Sequence, residues 1–222
     1  MFRIKICGVT TLADALAAAD AGADAIGLNF HPGSSRFVSR DQAAEIAAAL
    51  PSGIQKVGVF VNPTADDVRH TVERLSLDLV QLHGDEPPEF LARLGEIPVL
   101  RAFRLEAGGL PAVSDYLAEC RQRDATPAMV LLDAFRVGAY GGTGLSLDWT
   151  VAAAYHQFSA APPLVLAGGL AAANVAQAIA AVRPAAVDTA SGVEASPGRK
   201  DHAQVAAFVA AAKKALGLGD RR

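Results

Sequence analysis

Short apolar runs alternate with helix-period segments from one end of the chain to the other. Runs dense in Val, Ile, Leu and Ala occupy positions 3–7, 25–30, 55–61, 79–83, 99–104, 129–133, 164–167 and 186–189. Most are bounded by Gly, Pro, Asp or Asn, and each is short, so they read as buried strands. Between them the pattern predicts helices over 11–21, 41–50, 65–75, 87–94, 110–121, 147–154 and 172–182, with a last one over 202–216. The stops agree with this. The first helix follows a threonine and ends before Gly22, the second ends at Pro51, and the last ends before Gly217. No linker or charge run interrupts the series, and 217–222 reads as a frayed tail.

Strands spaced by roughly 20 to 35 residues, each followed by a helix, are the βα units of a parallel sheet. Eight in succession predict the α/β class and a closed (β/α)8 TIM barrel, taken as a single domain over 1–222. The competing fold is an open doubly wound sheet. It would carry a glycine-rich dinucleotide turn after the first strand, where only Gly8 is found. With 222 residues, 51% of them hydrophobic, one barrel can use the whole chain.

A parallel barrel carries its chemistry at the C-terminal ends of the strands and in the loops just after them. Side chains alternate along a strand, so the apolar positions assign the rest. If Ile4 and Ile6 pack against helices, Lys5 and Cys7 face the axis. With Ile26, Leu28 and Phe30 outward, Asn29 faces in. Val80 and Leu82 leave Gln81 and His83 inside, Val130 and Leu132 leave Asp133, and Val187 leaves Asp188. Cys7, Asn29, His83, Asp133 and Asp188 therefore converge on one mouth. Any one of them could be a satisfied loop cap, but five at one mouth point to a site.

Cys7 alone would read as a small buried hydrophobe. Paired with Asp133 from the sixth strand, it suits a base and an acid approaching one small substrate from different sides. Lys5, two residues away on the same face, favours a thiolate. Burial beside Leu131 would raise the Asp133 carboxyl and let it hold a proton; the lesser alternative is a helix cap or a salt-bridged carboxylate. Glycine-rich segments follow three late strands: Gly141-Gly142-Thr143-Gly144, Gly168-Gly169 and Ser191-Gly192. Backbone N–H groups there can approach an anion, and the last two lie where barrels of this kind often hold phosphate. Arg36, in the loop after the second strand, is either a solvated surface residue or a two-pronged grip for a carboxylate.

Charge and cysteine content narrow the partners. A formal net charge of −3 gives no basic field for nucleic acid. No apolar run is long enough to cross a bilayer, and the first residues lack the pattern of a signal peptide. Two cysteines do not form a disulfide framework, so a reducing, cytoplasmic setting is expected. Neither HExxH nor CxxC occurs, and no metal site is expected. The expected partner is a small phosphorylated molecule, with neither nucleic acid nor membrane, and the expected state is a monomer or weak homodimer.

The chain resembles the phosphoribosylanthranilate isomerase family of tryptophan biosynthesis. The resemblance rests on Lys5-Ile6-Cys7-Gly8-Val9-Thr10, Gly22-Ala23-Asp24-Ala25-Ile26-Gly27, Ser35-Arg36, Val57-Gly58-Val59-Phe60-Val61-Asn62 and Gln81-Leu82-His83-Gly84. It continues through Leu132-Asp133, Gly141-Gly142-Thr143-Gly144, Leu166-Ala167-Gly168-Gly169-Leu170 and Val187-Asp188-Thr189-Ala190-Ser191-Gly192-Val193-Glu194, in the same order over essentially the whole chain.

The resemblance implies an Amadori rearrangement that needs no cofactor. Asp133 would protonate the ribose ring oxygen as general acid, and Cys7 would take the C2′ proton as general base. Arg36 would hold the anthranilate carboxylate. The backbone at Gly142, Gly169, Ser191 and Gly192 would bind the phosphate, with Asp188 beside the ribose. His83 is a candidate from strand parity alone, either substrate-facing or structural. Two departures stand out. His31, Gly33 and Ser35 replace the aromatic and prolines common in the loop that carries Arg36, which bears on its rigidity. Residues 136–140 match no pattern and suggest a lid. The alternatives are the related histidine-pathway ribotide isomerase and a non-catalytic phosphate-ligand sensor on the same barrel. The first would place an aspartate at position 7 and show two half-barrel repeats; the second would lose the acid–base pair.

Overall fold

Strand alternation sorts the apolar side chains into two separate cores. The computed structural model describes residues 1–105, 109–133 and 149–219. Its main strands are β1 (Ile4–Cys7), β2 (Ala25–Asn29), β3 (Gln55–Phe60), β4 (Leu79–Leu82), β5 (Val99–Arg104), β6 (Met129–Asp133), β7 (Leu164–Ala167) and β8 (Ala186–Thr189). They pair in parallel in chain order and close into a barrel, with β8 against β1. Ala25, Val57, Leu79, Leu100, Leu131, Val165 and Ala186 fill the barrel interior, together with Phe2 just ahead of β1. Ile4, Ile6, Ile26, Leu28, Val80, Leu82, Val130, Leu132 and Val187 belong to the outer core, between strands and helices. Burying one such side chain stabilises by roughly 1.5–3 kcal/mol. A one-residue slip of β1 would turn Ile4 and Ile6 inward and Cys7 out towards the helices, so register is strongly held.

The outer layer consists of α1 (Leu12–Asp20), α2 (Arg40–Ala49), α3 (Ala65–Leu75), α4 (Pro88–Leu94), α5 (Gly109–Gln122), α6 (Trp149–Ala153), α7 (Val175–Val182) and α8 (His202–Ala215). Their starts are written in the sequence. Thr11, Ser39, Thr64 and Asp201 each accept a backbone N–H from the first turn, and Ser39 with Gln42 forms a full capping box. Thr11 is thus the cap rather than the first helical residue. Helix α6 continues as a 3₁₀ turn over Ala154–Gln157, and the expected start at 147–148 lies outside the described residues.

Two differences from the expected elements shape the mouth. Helix α7 starts at Val175 rather than at 172, because Asn174 bonds the loop before it. Its Oδ1 accepts from the Ala171 N–H at 2.8 Å and its Nδ2 donates to the Gly169 carbonyl at 3.0 Å. Between β8 and α8 the chain also forms a 3₁₀ turn (Ser191–Val193) and a small antiparallel hairpin of β9 (Glu194–Ser196) and β10 (Arg199–Lys200), which strand periodicity did not reveal. Gly198, at φ +81°, follows Pro197 in its turn, the pairing that a type II turn favours.

Candidate active site

The strand ends open into a cavity of about 300 Å³ lined by Cys7, Arg36, His83, Asp133, Gly169, Asp188 and Ser191, among others. The expected convergence is therefore present for most of the residues named from sequence. Gly192 follows Ser191 in the chain but is not among the residues that line the cavity. Gly142 lies outside the described residues, as does the expected lid at 136–140.

On the β1/β8 side, parallel register sets Lys5 opposite Asp188. Lys5 Nζ donates to Asp188 Oδ1 at 2.9 Å, with the lysine side chain 0% exposed. Burial works against the lysine charge, but Asp188 and Cys7 outweigh it and its pKa is raised. The same burial pushes the Cys7 thiol up. Lys5 pulls it down and Asp188 pushes it further up, and the net shift is upward. The expectation of a thiolate favoured by Lys5 is thus only half met: the lysine acts in the expected direction, but burial exceeds it. Room for the thiol comes from β2, where Cys7 pairs with Gly27. A Cβ on Gly27 would stand 2.7 Å from Cys7 Sγ and 3.2 Å from Lys5 Cε.

On the β4/β6 side the histidine is uncharged at neutral pH. His83 Nε2 stands 3.8 Å from Asp133 Oδ2, and the histidine is held at a pKa of about 4 by burial and then by Arg104, Lys5 and Arg101. At neutral pH the two are therefore a neutral ring beside a carboxyl group. Gln81 Nε2 lies 3.3 Å from His83 Nδ1. A neutral ring that accepts there carries its proton on Nε2, the atom facing Asp133. Below this wall, the buried Arg101 guanidinium donates to the carbonyls of Leu82, Ala102 and Gly84.

The late loops lock onto each other. Gly168 and Gly169 take φ values of +97° and +65°, which a residue with a Cβ rarely adopts. Thr189 Oγ1 donates to the Leu170 carbonyl at 2.6 Å, and a Cβ on Gly192 would stand 1.9 Å from that same oxygen. Gly192 is required by this close approach of the loops after β7 and β8. Across the mouth, Asn29 and Ser34 brace the loop after β2. Asn29 Nδ2 donates to Ser34 Oγ at 3.2 Å, and Ser34 Oγ accepts from the Arg36 N–H at 3.1 Å. Hydrogen bonds supply the bracing that prolines do not.

A family model described as N-(5′-phosphoribosyl)anthranilate (PRA) isomerase matches residues 4–211. The chain belongs to that family. It is 50% identical to the N-(5′-phosphoribosyl)anthranilate isomerase of Geobacter sulfurreducens over 214 residues, covering 96% of this chain and 99% of the relative. With the isomerase of Acidithiobacillus ferrooxidans it shares 47% over 212 residues, 95% and 97% of the two chains. The crystal structure of phosphoribosyl anthranilate isomerase from Thermotoga maritima is similar at a TM-score of 0.84 and 39% identity, covering 96% of this chain and 100% of that one. A further crystal structure of phosphoribosyl anthranilate isomerase holds reduced 1-(o-carboxyphenylamino)-1-deoxyribulose 5-phosphate. It matches at a TM-score of 0.82 and 37% identity, with coverage of 96% and 100%.

For this isomerase-family chain, the sequence pattern did not single out two residues that stand behind Arg36. Glu194 closes the last matching motif, yet no role was read from it. It accepts from Arg36 Nε at 2.8 Å and from Nη2 at 2.7 Å. Lys200 Nζ donates to Glu194 Oε1 at 2.8 Å and to the Ala190 carbonyl at 3.1 Å, with its side chain 0% exposed. The available signal was Pro197-Gly198, a turn dipeptide that folds Lys200 back beside Glu194. Among the described residues no helix is long and apolar enough to cross a membrane.

Proposed function

We propose that this member of the isomerase family converts N-(5′-phosphoribosyl)anthranilate to 1-(2-carboxyphenylamino)-1-deoxyribulose 5-phosphate, the Amadori step of tryptophan biosynthesis. The observation that carries the residue roles is the placement of Cys7 and Asp133 on different walls of one cavity, with Arg36 at its rim. In this reading the Asp133 carboxyl gives its proton to the ribose ring oxygen. The C1′–O bond breaks, and the nitrogen lone pair forms a Schiff base. Cys7, as thiolate, then removes the C2′ proton. The electrons move into the C1′–C2′ bond and quench the iminium, and the resulting enolamine tautomerises to the ketone. No electron leaves the substrate, so the step balances without an external oxidant.

Binding follows the same geometry. Arg36 meets the anthranilate carboxylate. The backbone at Gly169, Ser191 and Gly192 takes the phosphate together with Gly142. Asp188 stays paired with Lys5 beside the ribose, and the His83 Nε2–H points towards the acid. A reducing cytoplasmic setting suits a mechanism that needs Cys7 as a free thiol. The raised Cys7 pKa gives the reaction a pH signature. Only a small thiolate fraction exists at neutral pH, so kcat/KM rises with pH until Cys7 titrates. The sequence alternatives are less well supported: position 7 is a cysteine, and the match to isomerase relatives spans nearly the whole chain.

The test is turnover of phosphoribosylanthranilate, followed by loss of its fluorescence, for wild type, Cys7→Ala and Asp133→Asn. Wild type should be active and each variant should fall by about a hundredfold or more, the scale of one acid or base. Activity unharmed in Cys7→Ala would remove the base assignment. A folded wild type that binds the substrate without converting it would favour the sensor.

A further inference from the structure

A guanidinium offers two edges for paired hydrogen bonds, one formed by Nε with one terminal nitrogen and the other by the two terminal nitrogens. In Arg36 the first edge is already engaged, since Nε and Nη2 both donate to Glu194. The other edge belongs to a residue that lines the cavity. The arginine stem is fixed as well. It lies across Gly8, where a Cβ would stand 2.3 Å from Arg36 Cδ. Glu194 in turn is held from behind, accepting from Lys200 Nζ at 2.8 Å and from the Gly198 N–H at 3.3 Å.

Charge decides what this arrangement attracts. A lone Glu194 would neutralise Arg36 and weaken its pull on an anion. Lys200, its side chain buried behind the carboxylate, adds a second cation; burial lowers its pKa and Glu194 works the other way. Two cations against one carboxylate leave the cluster positive, and a substrate carboxylate on the free edge would complete the balance. A flexible exposed arginine would lose rotamer freedom on gripping its ligand; this one is held in place before the ligand arrives.

Resting on the reading in which Arg36 meets the anthranilate carboxylate, we propose that Glu194, backed by Lys200, is a positioning residue. It fixes the Arg36 guanidinium with its free edge towards the cavity and so sets the preference for an arylamine carrying a carboxylate. Glu194 acts only through Arg36 and touches no reacting atom.

Two substrates separate this from a merely structural role. They are the phosphoribosyl adduct of anthranilate and that of aniline, which lacks the carboxylate, both formed from the arylamine and ribose 5-phosphate and followed by chromatography. In Glu194→Gln, KM for the carboxylated substrate should rise about tenfold while kcat stays within about threefold, the scale of a lost charge-assisted contact. The aniline adduct should show no such rise. In an Arg36→Ala background, Glu194→Gln should add nothing further. An equal loss on both substrates, an additive loss in the Arg36→Ala background, or no change in KM would each overturn the proposal. If Glu194→Gln does not fold, Glu194→Asp decides by the same ratios, since it keeps the charge for Lys200 but draws the oxygens back from Arg36. Wild-type turnover of the anthranilate adduct separately tests the reading on which the proposal rests.

Discussion

Lys5 and Asp188 meet across β1 and β8 at 2.9 Å in a buried ion pair, with Cys7 beside them. Across the same cavity His83 and Asp133 stand 3.8 Å apart, with side chains 22% and 26% exposed, and the histidine is held neutral. One wall thus carries a buried ion pair, and the other a neutral ring beside a carboxyl group, both partly exposed. In the proposed reading the difference fits the two halves of an acid–base reaction. A buried thiol needs a fixed cation nearby if its anion is to form at all. In the proposed reading Asp133 must hold and give a proton, which a neutral ring beside it favours more than an imidazolium would. The two walls are also made differently. The charged wall is set by strand register, whereas the neutral wall depends on a residue just past the end of β4, tied by the His83 N–H to the Phe60 carbonyl at 2.9 Å.

The sharpest way to break the charged wall is steric. Gly27 leaves room for the Cys7 thiol, because a Cβ there would stand 2.7 Å from Sγ. Gly27→Ala should lower kcat/KM by about a hundredfold through misplacement of the thiol by a fraction of an ångström or more. Circular dichroism and the melting temperature check that the barrel remains. A folded variant of full activity would show that the position of Cys7 is not tightly required.

A gentler change tests the field rather than the fit. Lys5→Gln keeps a donor for Asp188 but removes the cation beside Cys7. Since Lys5 lowers the thiol pKa against burial, its loss should move the thiolate still further up. The rising limb of kcat/KM should then move to higher pH, lowering activity at neutral pH more than in base. The alkylation rate of Cys7 should shift in parallel. An unmoved limb would mean that Lys5 serves Asp188 alone.

The same contrast explains how much the sequence could reveal. Strand alternation depends on local burial, so it placed Ile4, Ile6, Val80, Leu82, Val130 and Val187 outward and, by default, sent Cys7, His83, Asp133 and Asp188 to one mouth. It cannot report contacts between loops far apart in the chain. Glu194 reaches Arg36 across 158 residues of sequence, and only the hairpin at Pro197-Gly198 brings Lys200 behind it. Nor does it report the balance of opposing terms. Lys5 beside Cys7 was legible and its direction correct, but whether burial or the cation prevails depends on how dry the site is. The boundary of α7 was missed for a local reason, since Asn174 spends its side chain on Ala171 and Gly169 instead of letting the helix begin earlier.

The neutral wall gives the smallest expected effect on turnover and the clearest sign. His83→Gln keeps a neutral donor near the place of Nε2, so activity should change by no more than about threefold. Stability against pH is what changes. In wild type the folded ring titrates near 4, while the unfolded chain takes up the proton near the ordinary histidine value of 6.5. Between those values the unfolded state binds more protons, so wild-type stability falls as pH drops from 6.5 to 4. With the ring partly exposed, this amounts to about 1–2 kcal/mol. Urea melts at pH 7, 5.5 and 4 should show that loss in wild type and less of it in His83→Gln. If His83 were instead a charged partner of Asp133, its pKa would be raised and the pair would add stability below that pKa. His83→Gln would then lose most relative to wild type in acid, and the neutral wall would be an ion pair like the one between Lys5 and Asp188.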